Sequence, residues 1–327
     1  MNQRPFNGSG VLVSEMGLGC WQLGGADWGA IDDAAAFEIL RTAVDAGVNF
    51  FDTADVYGSG RSEELIGRFL KDCSEEIFVA TKLGRTSALY PDQYTEAGVR
   101  AATEASLQRL GVEALDLTQL HCIPPAVLEQ GEVFEWLRQL RQEVKIKRFG
   151  ASVESMDEAE TCLQQGGLAA LQIIFNLFRQ KPITTLFPKA KEKQVALIVR
   201  LPLASGLLSG KLTKATSFAE NDHRNYNRDG QFFNVGETFA GLPYEKGVEL
   251  ADALKALVPE GTSLAELAQR WILDFDAVTV VIPGASRPAQ ALANAAVSAL
   301  PPLEPALHAR LRDFYEQQVA ACIRGPY

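Results

Sequence analysis

Short apolar runs alternate with amphipathic stretches along almost the whole of this chain. Eight runs read as strands, at 16–20, 49–53, 77–82, 115–121, 147–152, 171–175, 196–201 and 278–283. They are apolar without a clean period of two, the pattern of strands covered on both faces. Between them, Ala35, Ile39, Ala43 and Ala46 keep a helical spacing up to Gly47, a natural C-terminal stop. Ser62 ahead of Glu63 and Glu64 reads as a helix cap followed by acids in the first turn. Further helical runs cover 95–110, 133–144, 157–165, 186–193, 245–257, 263–275, 288–299 and 304–321. Strands alternating with helices over 1–327 predict a single (β/α)8 barrel. The alternative, a doubly wound open sheet, needs a GxGxxG turn after its first strand. Here Gly17-Leu18-Gly19 runs into Cys20-Trp21-Gln22, where a helix should start.

Two segments fall outside the alternation. The stretch 204–243, after the seventh strand, has no period and is too long for a routine connector. It carries Phe218, Tyr226, Phe232, Phe233 and Phe239 among Asn, Asp, Arg and Gly. It reads either as a lid over the C-terminal face of the barrel or as a loop whose aromatics pack on themselves. The opening residues Gly8 to Val13 predict a short N-terminal hairpin over the opposite end, and the chain closes on a C-terminal helix.

Composition narrows the classes of function. A chain of 327 residues that is 47% apolar and 22% charged can bury a large core. A net charge of −10 with no basic run argues against nucleic acid and anionic membranes as partners. The five cysteines (Cys20, Cys73, Cys122, Cys162 and Cys322) are scattered and lack CxxC spacing. They predict reduced thiols, with no disulfide framework and no metal site. No apolar run of 18 residues occurs, and Met1 to Pro5 does not open a signal peptide, so a cytoplasmic location is expected.

The candidate chemistry lies at strand ends. Asp52 ends the second strand and Tyr57 follows it; Lys82 ends the third strand and His121 the fourth. In a barrel these positions converge at one mouth. A phenol has a pKa of about 10 and gives up its proton reluctantly. An adjacent ammonium, Lys82, is expected to lower that value, with Asp52 balancing the buried charge. A neutral His121 could hydrogen-bond a carbonyl oxygen. Singly, each has a structural reading: a capping Asp, a turn Tyr, a solvated Lys, a hydrogen-bonded His. Together they suit delivery of a proton to a carbonyl oxygen while hydride reaches its carbon.

The same stretches resemble the aldo-keto reductase superfamily over nearly the whole chain. The resemblance rests on Gly17 to Gly24, Phe51-Asp52-Thr53-Ala54 with Tyr57-Gly58 and Ser62-Glu63, Ala80-Thr81-Lys82, Asp116-Leu117 with His121, and Phe149-Gly150-Ala151-Ser152. It implies a TIM barrel and a nicotinamide cofactor, usually NADPH, with Tyr57 as proton donor and Asp52, Lys82 and His121 completing a tetrad. Ser152 and Gln172 match positions that hold the nicotinamide carboxamide, and Cys20, Trp21 and Asp52 join the cofactor set. Leu203, Ser205, Gly206, Leu208, Gly210 and Lys211 resemble the loop that crosses the pyrophosphate. Gly284, Ser286, Arg287, Gln290 and Asn294 resemble the adenosine segment, where Arg287 would attract a 2′-phosphate; an Arg287 facing solvent leaves NADH use open. Two positions depart from the pattern. Val153 stands where many members have Asn. Arg200 stands where many have an aromatic ring on the nicotinamide. Arg200 is expected either to stack on that ring and favour NADPH over NADP⁺, or to turn toward a carboxylate.

The implied activity is NADPH-dependent reduction of a small aldehyde or ketone. Alternatives are a sugar or polyol dehydrogenase working in oxidation, and a nicotinamide-binding regulatory subunit of a membrane channel. Trp21, Trp28, the 204–243 stretch and Arg324 to Tyr327 would set the substrate.

Overall fold

The computed structural model describes every residue except Ala26 and Ala30. A hairpin of β1 (Gln3–Pro5) and β2 (Leu12–Ser14) precedes the barrel strands. These are β3 (Leu18–Gly19), β4 (Phe50–Asp52), β5 (Phe78–Leu83), β6 (Leu117–His121), β7 (Phe149–Ser152), β8 (Leu168–Ile174), β9 (Ala196–Arg200) and β10 (Val278–Val281). Each pairs in parallel with the next in chain order. Isolated parallel bridges Met16↔Val281 and Gly19↔Gly284 join the first barrel strand to the last, closing the (β/α)8 barrel. Every residue of β5, β6 and β8 is buried, which is why these runs lack alternation.

Phe6 and Val13 of the hairpin pack with Phe50, Phe78, Leu117, Ile198 and Val280. Arg4 donates to the carbonyls of Leu273 and Val278, both at 2.6 Å, and so ties the hairpin to the last strand. The expected cover over the far end of the barrel is therefore present, leaving the C-terminal face open for chemistry.

Some boundaries differ from the pattern. β8 starts at Leu168, three residues ahead of the expected run, because Leu168-Ala169-Ala170 carry no strand signature yet are wholly buried. A helix at Pro125–Gln130 has no counterpart in the sequence pattern, because six residues hold too little period to read. The closing run divides into a helix at Pro305–Phe314, a π turn at Tyr315–Val319 and a 3₁₀ turn at Ala320–Cys322. Ser62 is not the cap of its helix. Gly60, with φ of 97°, occupies that position, and the helix spans Arg61–Lys71. Ser62 instead donates to the Cys20 carbonyl (2.8 Å) and accepts from the Thr53 hydroxyl (2.9 Å), fastening the helix to β3 and β4. Glu63 turns inward to Arg109 (2.6 Å) and the Thr81 hydroxyl.

On that helix Gly67 marks a close helix–helix approach. A Cβ there would lie 2.3 Å from the Arg109 carbonyl oxygen and 2.8 Å from that of Leu110, both backbone atoms. Gly67→Ala should therefore destabilise the fold by roughly 1–3 kcal/mol, although alanine is the better helix former. Urea unfolding checks this, and a stabilised variant would contradict the packing.

The aromatic residues of the 204–243 stretch pack locally, and the stretch also reaches the barrel mouth. Phe218, Phe239 and Tyr244 pack on one another, with ring centroids 4.8–5.9 Å apart. Its middle part reaches the barrel mouth: Tyr226 donates to Asp27 (2.7 Å), and Asn234 donates to Glu154 (3.2 Å). Arg324 holds its far end through the carbonyls of Gly241 (3.0 Å) and Leu242 (3.2 Å) and through Asp229 (2.7 Å).

Candidate active site

Parallel register places the strand-end residues around one opening. Lys82 lies beside Gln119, His121 beside Ser152, and Gln172 beside Ile198. Lys82 is the hub. Its ammonium donates to Asp52 Oδ1 (2.6 Å), to the Thr53 carbonyl (2.8 Å) and to the Tyr57 hydroxyl (3.1 Å). The other oxygen of Asp52 accepts from Gln172 (2.6 Å) and Gln119 (3.3 Å). The buried carboxylate is thus fully satisfied, as a buried ion pair requires. Gln119, two residues before His121, carries no sequence signal of this role. Tyr57 and His121 meet edge to face, with centroids 5.8 Å apart, and Trp21 stacks on the other side of Tyr57 at 5.8 Å.

Burial alters the electrostatics expected from the sequence. It pushes the Tyr57 phenol up to about 12; Lys82 pulls the other way without overcoming it. A lowered phenol pKa is therefore not found in this state, because the desolvation of a phenolate outweighs one neighbouring cation. Burial also works against the charge on Lys82, yet Asp52 and Tyr57 together hold its pKa above the ordinary value. His121 is held well below its usual range by burial, with Lys82 and Arg85 adding to the effect, so its ring is neutral. Its Nδ1 is buried and lacks a hydrogen-bond partner among the described residues.

A groove of about 420 Å³ opens from this cluster. Trp21, Asp52, Tyr57, His121, Gln172, Arg200, Leu203, Ser205, Gly206, Lys211, Gly284, Ser286, Arg287 and Gln290 lie on its wall. Cys20, Ser152, Leu208, Gly210 and Asn294, drawn from the same motifs, do not. Cys20 and Leu208 are fully buried and Ser152 nearly so. Asn294 braces the Gly284 carbonyl at 3.3 Å. The Gln172 amide nitrogen is already committed to Asp52 and to Gln119 (3.3 Å). Both the nitrogen and hydroxyl of Ser286 donate to Gln290 at 2.9 Å.

Arg200 turns toward a carboxylate while staying on the groove wall. Its guanidinium lies 3.6 Å from Glu237 and donates to the Val153 carbonyl (3.2 Å), so the two departures from the family pattern touch. Glu237 also accepts from Arg85 (3.3 Å), and Arg85 donates to Glu154 (3.4 Å). Burial opposes charge on Glu237, but Arg200 and Arg85 hold its carboxyl far below the usual range. Burial and Glu237 push Glu154 up to about 8. Cys122, Glu154 and Glu237 bring ligand-type atoms within 4.8 Å of one another. With two guanidiniums already against this set, it reads as an ion-pair network, since a dication would be repelled.

A second pocket, of about 320 Å³, shares Trp21, Tyr57, His121 and Glu237 with the groove. It extends to Arg85, Asp27 and a rim of Tyr90, Tyr226, Phe232 and Phe233. Arg85, Glu154, Glu237 and Asp27 were not singled out from the sequence. Their only signal was charge placed just beyond strand ends or inside the aromatic-rich stretch.

The sequence model of the Aldo/keto reductase family matches residues 15–316. Aldo-keto reductase YhdN of Bacillus subtilis is 32% identical over 287 residues, which is 86% of this chain and 84% of that protein. The structure of the glycerol dehydrogenase of Gluconobacter oxydans superposes with a TM-score of 0.80 at 29% identity, covering 99% of this chain and 98% of that one. An aldo-keto reductase of Klebsiella pneumoniae in complex with NADPH shares the fold, with a TM-score of 0.70 at 21% identity over 99% of this chain and all of that one. The chain belongs to the aldo/keto reductase family and is an oxidoreductase. Among the described residues, no helix is long and apolar enough to cross a membrane.

Proposed function

We propose that this chain reduces a small aldehyde or ketone to the alcohol with NADPH. The observation that carries this reading is the chain of contacts from Asp52 through Lys82 to the Tyr57 hydroxyl, with a neutral His121 facing the same phenol. Bound in the groove, the cofactor would supply hydride to the carbonyl carbon. Tyr57 gives its proton to the carbonyl oxygen as negative charge develops there, and Lys82 stabilises the phenolate left behind. His121 holds the carbonyl by a hydrogen bond and, being neutral, does not compete as an acid.

The groove fits a dinucleotide. Lys211 and Arg287 lie on its wall and make no ion pair among the described residues, leaving two cations for phosphates. The Arg200 Nε and Trp28 Nε1 are buried on the same wall without partners among the described residues. The Gln172 side-chain carbonyl oxygen accepts no hydrogen bond among the described residues and is the acceptor left for a carboxamide. The test is to mix protein, NADPH and a panel of small aldehydes and to follow loss of reduced-cofactor absorbance. Tight cofactor binding without turnover would instead favour the regulatory-subunit reading. The likeness to a glycerol dehydrogenase supports a second reading, polyol oxidation by the same residues in reverse.

Glu237 governs how the cation at Arg200 is felt. Paired, Arg200 presents little net charge to a nicotinamide ring; unpaired, it repels the positively charged oxidised ring more than the neutral reduced one. Glu237→Gln should therefore raise the ratio of the NADP⁺ to the NADPH dissociation constant by about 3- to 10-fold, the effect of one partly screened charge. Fluorescence titration with both forms checks this, and an unchanged ratio would refute it.

A further inference from the structure

We infer that the carbonyl compound taken by the second pocket carries a carboxylate, and that Arg85 is the residue that selects it. The inference rests on the reading of Tyr57 and His121 as the carbonyl end of that pocket, and it adds the substrate class.

Arg85 lies three residues beyond Lys82, just past the end of β5, and shares the pocket wall with Tyr57 and His121. A group bound to Arg85 is thus within one short molecule of the reacting carbon. Its guanidinium already receives carboxyl oxygens, Glu237 at 3.3 Å and Glu154 at 3.4 Å, each through a single N–H. Both contacts are longer than the roughly 2.7–2.9 Å of a tight charge-assisted bond, and neither closes the two-pronged pairing that arginine makes with a carboxylate. The remaining N–H groups of Arg85 have no acceptor among the described residues. A substrate carboxylate can complete that fork.

Charge points the same way. Arg85 and Arg200 both lie against Glu237 and hold its carboxyl far below the usual range, while burial and Glu237 raise the pKa of Glu154 and so disfavour its charge. Arg179, whose Nε and Nη1 are buried without partners among the described residues, adds a further cation within electrostatic range of Arg200 and Glu154. Asp27 is the other carboxylate on this pocket; its oxygens are taken by Trp21 (2.9 Å) and Tyr226 (2.7 Å) and by neither arginine. The walls around Arg85 are aromatic, with Phe233 at 5.8 Å and Tyr90 at 6.0 Å from the guanidinium carbon, which lowers the local dielectric and strengthens an ion pair. A short oxo acid fits this combination: carbonyl at Tyr57 and His121, carboxylate at Arg85.

The first arm of the test compares kcat/KM for 4-oxobutanoate and butanal with NADPH. The wild type should prefer the acid by about tenfold or more, the worth of one charge-assisted pair. Arg85→Met should lower that ratio by about 10- to 100-fold, and Arg85→Lys, which keeps charge without the fork, by less. A wild-type ratio near one, or a ratio unmoved in Arg85→Met, overturns the inference. The second arm needs no turnover: butanoate and butanamide are titrated against the cofactor complex by quenching of tryptophan emission, since Trp21 lines the pocket. Butanoate should bind more tightly, and Arg85→Met should abolish the difference. Equal binding in the wild type overturns the assignment of Arg85. Failure of both aldehydes to turn over, with butanoate still preferred, instead counts against the reductase reading alone.

Discussion

Tyr57→Phe should lower kcat/KM for carbonyl reduction by roughly 100- to 10,000-fold, the usual worth of a positioned general acid. The ring that stacks between Trp21 and His121 is retained, and only the hydroxyl 3.1 Å from Lys82 is lost, so the fold and the cofactor groove should survive. Stopped-flow hydride transfer reads the chemical step directly, and equal rates for the two proteins would remove Tyr57 from the mechanism. The pH profile tests the state of the phenol. With burial pushing its pKa up to about 12, Tyr57 stays protonated across the whole neutral range. In the direction of reduction the acid form is the active one, so kcat/KM should be flat between about pH 6 and pH 9 and fall only at higher pH. In the direction of oxidation the phenolate is needed, so the rate should climb with pH over the same interval. A reductive limb falling near pH 7 or 8 would show that Lys82 overcomes burial after all, most plainly once cofactor is bound.

Lys82→Met should destabilise the protein by roughly 3–5 kcal/mol and abolish measurable turnover, because it strands a buried carboxylate. Asp52 is 2% exposed and Lys82 1% exposed, so water cannot replace the lost partner. The two amides, Gln172 and Gln119, remain hydrogen-bonded to Asp52 but bring no charge. The paired variant Asp52→Asn with Lys82→Met removes both charges and should regain much of the stability without regaining activity. Urea unfolding of the three variants separates the ion pair's contribution to the fold from its contribution to proton delivery. A Lys82→Met protein within about 1 kcal/mol of the wild type would refute the expected cost of removing one partner of this buried pair.

Asp52, Lys82 and His121 at strand ends, and Tyr57 in the turn after Asp52, were legible because their positions are local. A residue at the C-terminal end of a barrel strand lies at the mouth, and parallel register sets Asp52 beside Ala80, Lys82 beside Gln119 and His121 beside Ser152, around one opening. The groove residues Lys211, Ser286 and Arg287 were legible for a similar reason, since each follows a strand end within a recognisable motif. Other features were not legible. Ser62 looked like a cap because Ser before two acids usually is one; only the closeness of Cys20 and Thr53 gives its hydroxyl different partners. The Arg85–Glu237 contact joins residues 152 positions apart, one in a Gly-Arg-Thr loop and the other in a stretch without period. No spacing rule connects them.

The alternation of apolar strands and amphipathic helices, the strand-end positions of Asp52, Lys82 and His121, and the place of Tyr57 in the turn after Asp52 were determined by the amino-acid sequence alone. Periodicity and strand-end placement are properties of neighbouring residues, and that is sufficient to place these four groups at one mouth of a barrel. The acidity of Tyr57, the turn of Arg200 toward Glu237 and the unfilled fork of Arg85 were decided only in the tertiary structure. Desolvation and Coulomb interaction depend on distances between groups far apart in the chain, and those distances exist only once the barrel closes and the 204–243 stretch folds across it.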